Sequence, residues 1–134
     1  MNFTMNEFER SDTARMYGID NTIPYPALQN IYRLIKFVLQ PARDRLGLPI
    51  RINSGYRCPV LNRLVKGAPS SQHVLGQAAD ITCSDNERLF QILKELPFDQ
   101  LIVYRDKRNH ARILWIHVSY NEEHLSHKSF AIYQ

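Results

Sequence analysis

The sequence predicts an α+β fold: a single domain with a small, mostly antiparallel sheet covered by helices. Three features point there: apolar residues recur at three-and-four spacing early in the chain, β-branched and alternating runs come mostly later, and no regular strand-helix-strand alternation joins them. The length of 134 residues suits one domain with one core. With 44% hydrophobic and 22% charged residues, the composition is that of a chain that folds rather than one that stays disordered.

Residues 1–24 read as a mixed N-terminal arm that packs along the domain. Asn21-Thr22-Ile23-Pro24-Tyr25-Pro26 is an extended lead-in, because each proline pushes its predecessor out of the helical region. From Pro26 to Leu46 the residues Leu28, Ile31, Leu34, Ile35, Val38, Ala42 and Leu46 form one apolar stripe of a long helix ended by Gly47. Pro41 removes a backbone hydrogen bond inside it, which predicts a kink or break near Leu39. Ile50 to Asn53 alternates as a short strand, and Ser54-Gly55 turns the chain. Ser84 with Glu87 is a capping-box pattern for a second helix carrying Leu89, Ile92, Leu93 and Leu96, stopped by Pro97. Leu101 to Tyr104 and Ile113 to Ser119 read as two strands of a hairpin, and Ala131 to Tyr133 as an edge strand.

Several functions are disfavoured at once. No apolar run approaches a bilayer span, and the N-terminus lacks the basic-then-apolar layout of an export signal, so the expectation is a chain left in the cytoplasm as synthesised. Two cysteines, Cys58 and Cys83, make no disulfide framework and no thiolate metal knuckle. No glycine-rich phosphate loop is present. The 17 Lys and Arg against 13 Asp and Glu give a net charge of +4, with a concentration of cations over residues 33–66 that reads as an anion-attracting face or as a solvated helix surface. No nucleic-acid motif accompanies it, so nucleic acid is not the expected partner.

The chemistry concentrates in Ser71-Gln72-His73-Val74-Leu75-Gly76-Gln77-Ala78-Ala79-Asp80-Ile81. Gly76 and Ala78 let the backbone turn tightly and begin a strand, which can bring the His73 imidazole and the Asp80 carboxylate to one point. On this spacing alone the pair reads first as a hydrogen bond or two surface residues, and as a metal site only second. A third group changes that balance. In Ile113 to Ser119 the two-residue period puts Trp115, His117 and Ser119 on one face and Leu114, Ile116 and Val118 on the core face, so His117 projects into a pocket walled by Trp115. Two imidazoles and a carboxylate are a usual three-ligand set for a catalytic zinc.

Ser71-x-His73-x-x-Gly76-x-Ala78-x-Asp80, followed by Trp115-x-His117 and preceded by Ser54-Gly55-Tyr56-Arg57, resembles the zinc D-alanyl-D-alanine carboxypeptidases and their endopeptidase relatives that cut peptidoglycan stem peptides, in particular short phage-type members. The resemblance runs from about Tyr25 to Tyr120. It implies a hedgehog/DD-peptidase-like fold, Zn2+ held by His73, Asp80 and His117, Arg57 meeting the substrate, and Ser71 hydrogen-bonding the substrate backbone. It implies a peptidoglycan stem peptide as partner. Monomer is the default expectation, and a wall-cutting enzyme with no export signal is expected to reach the wall by lysis, on a phage particle or moved by a partner. Relatives place a proton-transfer group just before the last zinc histidine, where this chain has Leu114 and Trp115. The expected base is therefore Asp99, with Tyr104 and Asp106 as other candidates on the same hairpin. A zinc-containing module that binds wall peptide without cutting it is the alternative.

Overall fold

A computed structural model describes residues 1–134. Six α-helices and five strands follow in the order α1 (Met5–Glu9), α2 (Asp12–Met16), α3 (Tyr25–Leu34), α4 (Gln40–Leu46), β1 (Arg51–Ser54), α5 (Pro59–Leu64), β2 (Ala78–Thr82), α6 (Asn86–Leu93), β3 (Gln100–Arg105), β4 (Ile113–Ser119) and β5 (Lys128–Tyr133). The strands form one sheet in the order β1-β2-β4-β3-β5, antiparallel except for the β3–β5 pair. This is the α+β architecture the sequence predicts.

The long helix is continuous. Between α3 and α4, Ile35–Leu39 forms a π-helical turn, in which the Gln40 amide donates to the Ile35 carbonyl. The wider turn lies just before Pro41 and absorbs the missing donor and the ring, where the sequence predicts a kink or break. Ile35, Val38, Leu39 and Ala42 are fully buried, so packing holds both halves on one path. Gly47 closes α4 in the left-handed conformation, at φ 72°.

The arm over residues 1–24 contains two five-residue helices, too short for their periodicity to be legible. Each is held by a local cap: the Thr4 amide donates to Glu7 Oε2, and Ser11 Oγ accepts from the Ala14 amide. Phe3 and Phe8 are buried in the main core. The cap of α6 is Asp85 rather than the expected Ser84. The Asp85 carboxylate accepts from the Arg88 amide, and its charge favours the helix start more than a hydroxyl does.

One face of the sheet packs on the helices through Ile52, Ala79, Ile81, Leu101, Val103, Ile116 and Val118. A bulge where Tyr104 pairs with Trp115 but Arg105 with Ile113 makes Leu114 the extra residue, so Ile113 takes the buried position the sequence assigns to Leu114. The opposite face is the one that carries the site. The cations of residues 33–66 are spread over α3, α4, β1 and α5, and three of them face carboxylates: Arg33 with Glu122, Arg45 with Glu95 and Arg57 with Asp80. Both cysteines are free, and no helix is long and apolar enough to cross a membrane.

Between Ser71 and Gly76 the chain makes a single helical turn. The Gly76 amide donates to the His73 carbonyl and the Gln77 amide to the Gln72 carbonyl, with Gly76 at φ 74°. This pair of bonds is a Schellman closure, and it turns the chain directly into β2. A Cβ on Gly76 would overlap the Ala27 carbonyl oxygen of α3. Gly76→Ala is expected to lose about 3 kcal/mol of stability, from the left-handed backbone and the overlap together, as read by urea denaturation.

Candidate metal centre and cleft

Cross-strand register brings the site together. Asp80 on β2 stands directly opposite His117 on β4, and Ser54 on β1 opposite Asp80. His73 comes to the same point from the helical turn that precedes β2. His117 Nδ1 lies 2.9 Å from Asp80 Oδ1, His73 Nε2 lies 3.4 Å from the same oxygen, and the three candidate ligand atoms fall within 4.8 Å of one another.

The His73 ring is fixed from behind. Its Nδ1–H donates to the Gly55 carbonyl at 2.7 Å, and a carbonyl only accepts, so Nδ1 carries the hydrogen and Nε2 presents a lone pair. That Nε2 is buried with no hydrogen-bond partner. Gly55 is in turn held by the N-terminal arm: a Cβ there would lie 2.6 Å from Phe8 Cα, and the neighbouring Tyr56 amide donates to the Phe8 carbonyl. Asn21, itself buried, donates to the carbonyls of Glu9 and Tyr56 and accepts from the Cys58 amide, pinning the segment that carries Arg57.

Around these residues lies a cleft of about 350 Å³ whose lining includes Arg57, Ser71, Gln72, Ile102 and Tyr104. Arg57 Nη1 donates to Asn62 Oδ1 at 3.1 Å, and Nη2 lies 3.9 Å from Asp80 Oδ2. Gly67 leaves the space: a Cβ there would collide with the Asn62 carboxamide and the guanidinium. Ser71 Oγ accepts from the His73 amide at 3.2 Å, so its hydroxyl hydrogen is available to the cleft.

The electrostatics follow from these contacts. Burial alone would push the Asp80 carboxyl up, but the hydrogen bond from His117 and the neighbouring His73 ring hold it well below the usual carboxylate range. Burial pulls the Arg57 guanidinium down, opposed by Asp80 and then Tyr104. Burial, followed by the Asp80 charge, pushes the Tyr104 phenol up, so it keeps its proton at neutral pH.

Asp99 stands elsewhere. It does not line the cleft, and its carboxylate is occupied: Oδ2 accepts from Gln72 Nε2 at 2.9 Å, and Oδ1 accepts from the Ser126 amide at 2.9 Å and faces His124 Nδ1 at 3.3 Å. Burial would raise its pKa, but the bonds from Ser126, Gln72 and His124 lower it. Asp106 is likewise outside the cleft, accepting from the Arg108 amide. Trp115, expected to wall the His117 pocket, stacks against Tyr104 at 4.3 Å between ring centroids, and Tyr104 with Ile102 takes the wall position instead.

Sequence reasoning missed Asn21, Asn62, Gly67 and Gln72. Asn62 had a signal, being a carboxamide beside Leu61 in the stretch that becomes α5. The others depend on which backbone groups the fold brings near them.

The donors fit a zinc ion. Tetrahedral coordination at ordinary zinc bond lengths spaces ligand atoms roughly 3.3 Å apart, close to the His117–Asp80 and His73–Asp80 separations of 2.9 and 3.4 Å. A buried imidazole nitrogen with no protein partner calls for a cation or a hydrogen-bond donor to meet its lone pair. Two imidazoles and a carboxylate in a polar cleft, with a guanidinium alongside, are the makings of a metallohydrolase centre. The family described as Peptidase M15 matches residues 1–119. The chain belongs to that family, one of zinc-dependent peptidases. No protein of curated function matches the sequence.

Proposed function

We propose that this protein is a zinc peptidase that hydrolyses the stem peptides of bacterial peptidoglycan, as a D-Ala-D-Ala carboxypeptidase or a related endopeptidase. His73, Asp80 and His117 are assigned as the zinc ligands. The observation that carries the reading is the buried, unpartnered Nε2 of His73 aimed at Asp80 and His117. Zinc bound there supplies Lewis acidity to the scissile carbonyl and to the attacking water.

The remaining roles belong to the chain's own side chains. The Gly55 carbonyl keeps His73 in one tautomer and one orientation. Arg57, half-buried and anchored by Asn62, presents a planar fork to a substrate carboxylate or to the oxygen that becomes negative during attack. Tyr104, protonated at neutral pH, donates to the same oxygen or to the leaving nitrogen. Ser71 donates its hydroxyl hydrogen to the substrate backbone. Asp99 acts as a positioning residue that holds Gln72 and the segment at Ser126, in place of the base role the sequence suggests.

One observation favours a second reading. Asp80 is the only carboxylate in the cleft, and as a zinc ligand it leaves no second carboxylate there to act as a base. A zinc-containing module that holds wall peptide without cutting it accounts for that. Metal analysis together with mass spectrometry of a D-Ala-D-Ala-terminated pentapeptide separates the cases. Stoichiometric zinc with released D-Ala or internal fragments supports the peptidase, and zinc with peptide affinity but no cleavage supports the module. A protein that takes up no zinc overturns both.

A further inference from the structure

The register of the sheet carries the site face beyond the cleft. One cross-strand row runs Ser54, Asp80, His117, Ile102, Phe130, from β1 to the edge strand β5. Residues paired side by side point to the same face, so Phe130 lies on the face of Asp80 and His117. Ile102 is itself buried, at 9% exposed, but it reaches the cleft lining and stands outside the core cluster, so the strip opens to solvent at its two ends, the cleft and Phe130.

The row ends on an unpartnered apolar ring. Phe130 is 41% exposed on this open face, with Lys128 Nζ 5.6 Å from its ring centroid. The adjoining row, Trp115, Tyr104, Ile132, borders the strip with the Tyr104–Trp115 stack. The strip is thus polar at His117 and apolar beyond Ile102, with a cation at its rim. The Peptidase M15 match stops at residue 119, before β5, so the strand that supplies Phe130 lies outside the matched region.

We propose that this strip is an extended-substrate subsite, with Ile102 and Phe130 as its floor, and that the protein selects an oligopeptide of at least about four residues over a dipeptide. The proposal rests on the reading of His73, Asp80 and His117 as the hydrolytic centre. Two strand spacings separate His117 from Phe130, about 10 Å, which an extended peptide covers in roughly three residues. A substrate whose scissile bond sits at His117 therefore lays the apolar surface of a residue about three positions away on the Phe130 ring. A carboxylate nearby on that substrate meets Lys128. A dipeptide stops short of both.

The test uses the full-length zinc-loaded protein and two substrates that share a scissile bond, acetyl-D-Ala-D-Ala and the pentapeptide L-Ala-γ-D-Glu-L-Lys-D-Ala-D-Ala. Phe130→Ala is expected to lower the ratio of kcat/KM for the pentapeptide to that for the short peptide by about tenfold, through KM, the effect of losing a partly buried aromatic contact. Phe130→Tyr, which keeps the ring, is expected to preserve the ratio. An unchanged ratio in Phe130→Ala overturns the proposal. Should wild-type protein cleave neither peptide, the peptidase reading fails on its own. Calorimetric titration of the pentapeptide into wild type and Phe130→Ala then decides the subsite: weaker binding by the variant supports it, and equal or absent binding overturns it.

Discussion

Asp80→Ala is expected to leave the protein unable to retain zinc through dialysis, and to lower peptide hydrolysis on the order of a thousandfold or more, the rate equivalent of the several kcal/mol a bound ion contributes. Asp80 is the hub of the site. One of its oxygens faces both His117 Nδ1 and His73 Nε2, and the other faces the Arg57 guanidinium. Without the carboxylate, two imidazoles and a guanidinium share a cleft with no anion, so a cation meets repulsion as well as a missing ligand. Metal analysis and kcat/KM on the same preparation check this, and a variant that still holds one zinc per chain would remove Asp80 from the ligand set. The carboxyl also links stability to pH. Its folded pKa lies below the ordinary value, so its contribution is complete above the unfolded pKa of about 3.9 and is lost as pH falls through the folded value. Denaturation of wild type and Asp80→Ala as a function of pH should therefore show the acid limb flattening in the variant.

Arg57→Ala is expected to reduce kcat/KM by about a hundredfold or more while the zinc content stays at the wild-type level, the size of effect seen when one preorganised donor to a developing negative charge is removed. Arg57→Lys is expected to recover little of this. An ammonium is a point donor without the planar fork, and it cannot both bond Asn62 Oδ1 and present a second donor to the cleft in fixed geometry. Burial with one retained anchor is what makes the guanidinium preorganised: its side chain is 16% exposed, and only Asn62 gives it a hydrogen bond. Hydrolysis rates in Arg57→Lys equal to wild type would show that charge alone suffices and that the fork has no role.

Much of the site was legible because its parts are local. The Ser71 to Asp80 stretch encodes a helical turn, a left-handed glycine closure and the start of a strand within ten residues, each from near-neighbour chemistry. The alternation of Ile116, His117 and Val118 likewise follows from strand geometry alone. The fate of Asp99 was not legible. A carboxylate at the head of β3 reads as a free base until the fold delivers Gln72 from one side and Ser126 and His124 from the other. The exchange of Trp115 for Tyr104 at the cleft wall has the same origin, since it depends on how β3 lies beside β4.

By itself the sequence determined the fold class, the sheet's main strands, the turn that presents His73, and the residue types for a two-imidazole, one-carboxylate site. Those properties depend on spacing, on glycine and proline backbone preferences and on periodicity, all short-range. Only the tertiary structure decided that Asp80 and His117 stand side by side, that Gly55 and the N-terminal arm lock the His73 ring, that a π-turn keeps the long helix whole across Pro41, and that β5 joins β3 in parallel to extend the open face. These are pairings between segments far apart along the chain. They are selected by packing and by the need of each buried polar group for a partner, which no local window of sequence contains.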